Sequence, residues 1–205
     1  GYFMVNSSGT FSMTGGKIET TDSNGLYIYG GTANITGGSI ISGAVYVSSG
    51  IFTLGETVQD EVQTNEQAQK VYIQTLKPNG KQVTLNSGVV GSVSGNFGSD
   101  SVFGCWFETD VNNRLPAGKM CESFPQNGKT YYRVENLTEE KAEAKIDEVL
   151  YASASVAAKA LKENETLTLL KDINGESSSI LLSITAPNAT IDLNGHNVTN
   201  TSEKG

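Results

Sequence analysis

The stretch Gly9-Thr10-Phe11-Ser12-Met13-Thr14-Gly15-Gly16-Lys17-Ile18 decides how this chain folds, because it returns as Gly31-Thr32-Ala33-Asn34-Ile35-Thr36-Gly37-Gly38-Ser39-Ile40. A degenerate third copy follows as Gly50-Ile51-Phe52-Thr53-Leu54-Gly55, so that the copies start at Gly9, Gly31 and Gly50. A second echo runs between them: Tyr2-Phe3-Met4-Val5, Leu26-Tyr27-Ile28-Tyr29 and Val45-Tyr46-Val47. Repeats of about 20 residues are too small to bury a core alone and are stable only when stacked. Apolar and polar residues alternate within each copy, the pattern of a strand with one covered face. Phe11, Met13 and Ile18 are expected to point inward, and Ile35, Ile40 and Ile41 inward one rung later. The Gly pairs supply the positive φ angles where the chain turns to its next face. Strands that return with no helix between them suit a parallel β-helix. Hairpin signals of the Asn-Gly kind are scarce in this part, Asn24-Gly25 being one, which disfavours a sandwich.

Composition supports a mainly β chain with many corners. Gly accounts for 23 of 205 residues, 12 of them within the first 55, and only 18% of residues are charged. The formal net charge of −8 argues against nucleic acid, whose binding requires Lys and Arg to displace counterions. It also argues against docking on anionic lipid. No transmembrane run is present, so membrane insertion is not expected. The chain opens and closes inside patterned sequence, which reads as a piece of a longer, multi-module protein.

Beyond the first rungs the pattern changes several times. Residues 56–69 are polar and acidic without Gly and read as a loop inserted at a rung corner, with a short helix as the other reading. Residues 70–98 resume rungs through Val71-Tyr72-Ile73, a turn at Pro78-Asn79-Gly80, and Gln82-Val83-Thr84-Leu85. The division expected is therefore 1–98 for rungs, 99–165 for a capping lobe with short helices, and 166–205 for further rungs. In the lobe, Thr138 is placed to cap a turn over Glu139–Lys145. Ser153 is placed to cap a helix over 154–163 with Val156, Ala157, Ala160 and Leu161 on one face. Leu167, Leu169 and Leu170 then form a strand, followed by another at Ile180-Leu181-Leu182-Ser183-Ile184.

Cys105 and Cys121 do not form a Cys-x-x-Cys pair and the chain has a single histidine, so no metal site is expected. A disulfide between them would constrain the unfolded chain by about 3 kcal/mol. Two buried free thiols are the other reading, and an extracellular setting favours the bridge. Catalytic residues are not expected. A polysaccharide lyase or hydrolase needs two or three carboxylates on one face, and the first rungs offer only Glu19 and Asp22. Asp192 reads as a turn cap beside Asn194. No cofactor motif is present, since Gly30-Gly31 and Gly37-Gly38 do not open helices.

Binding residues are sought among the aromatics. Phe103, Trp106, Phe107 and Tyr29 are candidates, because Trp and Tyr enrich at interface hot spots and stack on sugars. The competing reading packs Trp106 and Phe107 into the lobe's own core beside Cys105. Tyr27, Tyr29 and Tyr46, aligned from rung to rung, offer a second surface. Edge pairing with a partner's strand is a third mode. The flanking insertions 56–69 and 99–134 are where a partner is expected to be met.

The strings Leu167-Thr168-Leu169-Leu170-Lys171-Asp172-Ile173 and Ile191-Asp192-Leu193-Asn194-Gly195-His196 resemble the opening of right-handed parallel β-helix modules in large cell-surface, adhesin-like proteins of gut Firmicutes. The segment Ser94-Gly95-Asn96-Phe97, Leu115-Pro116-Ala117-Gly118 and Tyr131-Tyr132-Arg133-Val134 resembles the strand and lobe that end such a module. The resemblance implies a right-handed, single-stranded, pectin-lyase-like parallel β-helix with a small α/β connecting lobe, 166–205 being the start of a next module. It treats His196 as a structural corner. It implies a secreted or bacterial cell-surface location and a non-enzymatic module that contacts a host protein, immunoglobulin among them, or a glycan. The alternatives it leaves are a structural spacer and a polysaccharide-acting β-helix enzyme.

Overall fold

The computed structural model describes residues 1–58, 62–175 and 181–200. The chain is mainly β, with 51% strand against 8% helix. Two compact units emerge: Gly1–Pro116 with Cys121–Glu135, and Ala117–Met120 with Asn136–Gly205.

In the first unit, β1 (Phe3–Asn6) and β2 (Thr10–Glu19) pair in parallel with β3 (Asn24–Leu54), Phe3 facing Leu26 and Thr10 facing Thr32. A straight strand of that length would reach roughly 100 Å. Instead β3 curls, turning at Gly30, Gly38, Ser42 and Gly50, all of which have positive φ. It comes back alongside itself: the Gly55 amide donates to the Ile35 carbonyl at 2.7 Å, and the Tyr27 ring stacks on Tyr46 at 4.8 Å. Two glycines show why the Gly corners recur. A Cβ on Gly50 (φ 94°) would collide with the Gly31 carbonyl oxygen, and one on Gly38 (φ 90°) with that of Gly16.

After α1 (Asn65–Lys70), the strands β4 (Val71–Lys77), β5 (Thr84–Leu85), β6 (Val89–Val93), β7 (Val102–Phe103) and β8 (Trp106–Phe107) continue the stack. β3, β4, β6 and β8 pair in parallel on one side, and β3, β5 and β7 on another. The partners recur at equal sequence intervals, Tyr72 facing Val89 and Val89 facing Trp106. The interval that joins Ser39 to Tyr72 is far longer, because the insertion 56–69 lies in that period. The parallel run ends on a hairpin of β9 (Lys119–Gln126) and β10 (Lys129–Asn136), with β10 antiparallel to β8. Its turn, Asn127-Gly128, has φ of 50° and 75°, the pair of positive angles that a two-residue hairpin needs. The result is a curled, parallel-rich sheet of ten strands.

Alternation fixes the core. Leu26, Ile28, Ile35, Ile40, Ile73, Leu85 and Phe107 are fully buried in one cluster. Met13 is buried, and Phe11 and Ile18 pack partly against the cluster. Ile41 departs from expectation and is only half-buried, since its neighbour Ile40 takes the inward position.

The second unit contains β11 (Ala144–Ile146), β12 (Val149–Tyr151), α2 (Ala154–Ala160), β13 (Thr166–Leu169), β14 (Ile173–Gly175), β15 (Thr190–Asp192) and β16 (Val198–Asn200). β12, β11, β13 and β15 form one sheet, in which β13 and β15 are parallel, and β14 pairs in parallel with β16. The expected 99–165 lobe is therefore divided. Trp106-Phe107 extends the first stack, whereas Ala144–Ile146 pairs with Leu167–Leu169.

Several expectations here are corrected. α2 stops at Ala160 rather than 163, and it buries Ala154, Ala157 and Ala158 rather than Val156 and Ala160. Ser153 makes no side-chain cap; the Glu143 carboxylate accepts from the Ala154 amide at 2.9 Å instead. Thr138 starts a backbone turn, its carbonyl accepting from Lys141 and Ala142, and the chain then enters β11. Residues 181–184 are not strand, and Ile180 and 201–205 lie outside the described residues. No helix among the described residues is long and apolar enough to cross a membrane.

Candidate functional site

The insertion 56–69 is anchored before it does anything else. Gln63 is buried, with its amide Nε2 donating to the Gly88 carbonyl at 2.9 Å and its Oε1 accepting from the Gly88 amide at 2.6 Å. Thr64 and Gln67 then form a reciprocal capping box, at 2.7 and 3.2 Å, which satisfies two otherwise orphaned amides at the start of α1. Glu56 and Lys70 pair at 3.2 Å across the base of the insertion. So fixed, α1 lays Ala68 over the outer face of the sheet, where Ala68, Val89 and Trp106 form a small buried cluster flanked by Tyr72, Phe124 and Tyr131.

Between α1, the outer sheet face and the β9–β10 hairpin lies a cavity of about 430 Å³. Asn65 and Gln69 line it from α1, Tyr72 from β4, Trp106 from β8, and Asn127, Lys129 and Tyr131 from the hairpin, with Glu108 just beyond β8. Trp106 meets Phe124 edge-on at 5.0 Å and lies 5.4 Å from Tyr131. The polar rim is organised in two groups. Asn127 Nδ2 donates to Asn65 Oδ1 at 3.1 Å. Tyr72 Oη donates to Glu108 Oε2 at 3.1 Å, and Lys129 Nζ stands 3.9 Å from Glu108 Oε1. Partial burial and the Glu108 charge push the Tyr72 hydroxyl up to about 12. The phenol is therefore protonated at neutral pH and acts as a donor, which is the wrong direction for a general base.

The expected aromatic site is redistributed by strand alternation. Trp106 and Phe107 are adjacent in β8, so they face opposite ways: Phe107 enters the main core and Trp106 the outer cluster. Phe103 packs against the main core, edge-on to Phe97 at 4.9 Å. Phe103 and Phe107 are thus core residues, and Trp106, though only 5% exposed, forms a wall of the cavity. Tyr29 is 54% exposed. It joins Tyr2, Tyr27 and Tyr46 in a surface row whose ring spacings from Tyr27 are 4.8 to 6.4 Å.

Cys105 and Cys121 are both free and buried, which overturns the expected disulfide. Each thiol is committed elsewhere. Cys105 joins the core, where burial pushes its ionisation up. Cys121 Sγ donates to Asp110 Oδ1 at 3.3 Å, and burial raises it to about 12. Asn112 clamps the Cys121 backbone through its side-chain amide, at 2.8 and 3.2 Å.

The corner residues of the second unit behave structurally. Asp192 Oδ1 accepts from the Asn194 amide at 2.8 Å, the turn cap that its sequence context indicates. His196 Nδ1 lies 3.3 Å from Asp172 Oδ1, which also accepts from the Asn197 amide at 2.9 Å. Among the described residues no group of three His, Cys, Asp or Glu side chains is placed to hold a metal.

Reading the sequence alone misses Asn65, Tyr72, Glu108, Asn127 and Lys129. The available signals were the insertion inside a regular period and Tyr72 alternating with two inward β-branched neighbours. No family model, characterised protein or solved structure matches the chain.

Proposed function

We propose that the chain is a non-enzymatic, saccharide-binding module of a secreted or bacterial cell-surface protein, and that its curled stack is a right-handed parallel β-helix of the pectin-lyase-like kind. The observation that carries the binding reading is the composition of the cavity. Its aromatic walls (Trp106, Tyr131, Tyr72) suit the apolar face of a pyranose. Its amide pair and the Tyr72–Glu108–Lys129 cluster suit the hydroxyls around that ring. Ligand sites usually combine such a largely apolar wall with a few placed polar groups. Among the lining residues Glu108 is the sole carboxylate, whereas two-carboxylate glycoside hydrolysis needs a partner acid across the bond. The cell-surface setting rests on the module resemblance of the rungs and of the Leu167 and Ile191 strings.

A second reading, contact with a host protein such as immunoglobulin, is favoured by the tyrosine row in which Tyr2 and Tyr29 are exposed and Tyr27 and Tyr46 half-buried. Glycan-array binding of the intact chain separates the two. The saccharide reading expects selective array signal that Glu108→Gln and Asn127→Ala each reduce at least tenfold while the melting temperature holds. Array silence, combined with capture of a serum or mucus protein that Tyr29→Ala abolishes, overturns it.

A further inference from the structure

We propose that the cavity selects an uncharged sugar by its acetamido group, so that the ligand is an N-acetylhexosamine or a chain that displays one. This rests on the saccharide-binding reading above and names the substituent by which the sugar is chosen. An acetamido group is a methyl, a carbonyl acceptor and an N–H donor held in one plane. A hydroxyl at the same ring position has neither the methyl nor the carbonyl. The cavity offers a counterpart to each of the three parts.

The methyl meets an apolar floor. Asn65, Ala68 and Gln69 all line the cavity and stand at i, i+3 and i+4 of α1, neighbours on one helix face. That face therefore sets one apolar side chain between two carboxamides. Ala68 closes on Val89 and Trp106 in the small outer cluster, and these two line the cavity as well. Ala68, Val89 and Trp106 are only 2%, 8% and 5% exposed. So small an opening onto apolar surface fits a methyl group better than a further ring. The sugar ring has its own partners, since Tyr72 and Tyr131 are half-buried walls of the same cavity.

The carbonyl and the N–H meet groups of the opposite kind. A carboxamide side chain carries one acceptor oxygen and two N–H donors. Asn127 Nδ2 donates to Asn65 Oδ1 at 3.1 Å, which leaves the Asn65 nitrogen to donate and the Asn127 oxygen to accept. Gln69 adds a further carboxamide on the α1 side. Charge points to a neutral ligand. Among the described lining residues Glu108 and Lys129 alone are charged, with opposite signs and 3.9 Å between them. Each faces the other, so neither is reserved for the charge of an acidic or an amino sugar. The net charge of −8 further disfavours a polyanionic glycan.

Calorimetric titration of the whole chain with trisaccharides alike in linkage tests the proposal. The set comprises the trimers of N-acetylglucosamine, glucosamine and glucose, the matching sugars of the galactose series, and trigalacturonic acid. The expected result is that the N-acetylated member of one series binds at least about tenfold more tightly than its hydroxyl and amine counterparts, the scale on which a pocket reads a missing apolar group. Asn65→Asp keeps the oxygen that accepts from Asn127 and removes the remaining N–H donor. It is expected to weaken the N-acetylated sugar at least tenfold, and Gln69→Ala, at an exposed position, to weaken it as well. Thermal melts confirm that both variants fold, and Gln69→Ala stands alone if Asn65→Asp does not. Hydroxyl and N-acetylated sugars bound equally overturn this inference and leave the saccharide reading standing. So does tightest binding of the amine, which marks Glu108 as a counter-ion, or of the uronic acid, which marks Lys129 as one. Folded variants that bind the N-acetylated sugar as tightly as the natural chain also overturn it. Silence toward every sugar overturns both this inference and the saccharide reading.

Discussion

Gln63 sits in the interior of the first unit with both ends of its amide bonded to Gly88. Truncating it leaves the buried Gly88 amide unpaired, while the Gly88 carbonyl keeps the Trp106 amide at 3.0 Å, and one such unpaired group costs about 1–3 kcal/mol. Gln63→Ala is expected to lower the denaturant midpoint accordingly, and Thr64→Ala, at the exposed cap, by about 1 kcal/mol. Tyr72 makes a prediction in pH. Its folded ionisation is raised from 10.0 to about 12, so its contribution to stability is fully present below its unfolded value and is lost as pH rises through the folded one. In an alkaline absorbance titration Tyr72→Phe should remove a phenolate that appears above the ordinary tyrosine range, and the natural chain should lose more stability than the variant over that window. The buried thiols of Cys105 and Cys121 are expected to stay unreactive toward a disulfide reagent until denaturant is added, when two react. Mass spectrometry showing a bridge would contradict this. At this scale the sequence was informative where alternation alone decides, as for Ile35, Ile40 and Met13. For Phe107 it left core and interface both open, and for Phe103 it offered only the interface, because an aromatic cluster reads alike whether it faces a core or a ligand. The pairing of two cysteines depends on where distant rungs place them, which spacing does not encode.

Among the elements, β3 carries the strongest sequence signal, and its Gly corners give the sharpest test. Gly50 combines a positive φ with a Cβ direction blocked by the Gly31 carbonyl, whereas Gly15 has ordinary φ and nothing within 4 Å. Gly50→Ala is expected to destabilise by about 1–3 kcal/mol from backbone strain alone, with the collision added. Gly15→Ala should be nearly neutral in the same thermal melt. The rungs were legible because a regular recurrence, Thr10 beside Thr32 and Tyr72 beside Val89, forces the same kinds of residue onto the same face. α2 was legible in place and only in part in orientation: Ala157 and Leu161 are buried as expected, but Val156 and Ala160 are not, since a short, Ala-rich helix buries whichever small face fits. The insertion 56–69 gave no clue to its destination. Gln63, which decides it, resembles any polar loop residue until Gly88 is seen opposite.

For the whole molecule, the repeat and its break act together. The stack supplies an outer face, and α1 of the 56–69 insertion and the β9–β10 hairpin wall in a cavity upon it. The cavity is lined by both departures from the repeat, α1 within 56–69 and part of 99–134, together with Tyr72 and Val89 from the repeat itself. Trp106, the only tryptophan of the chain, forms one wall, so the cavity carries its own optical probe. The most direct measurement is a fluorescence titration of the natural chain and of Glu108→Gln with mucin-derived oligosaccharides, followed by mass analysis of the recovered sugar. Saturable change in Trp106 emission, weakened at least tenfold in the variant, with the oligosaccharide recovered intact, is the predicted result. Emission indifferent to sugar, or an oligosaccharide recovered cleaved, would contradict a saccharide-binding, non-enzymatic module.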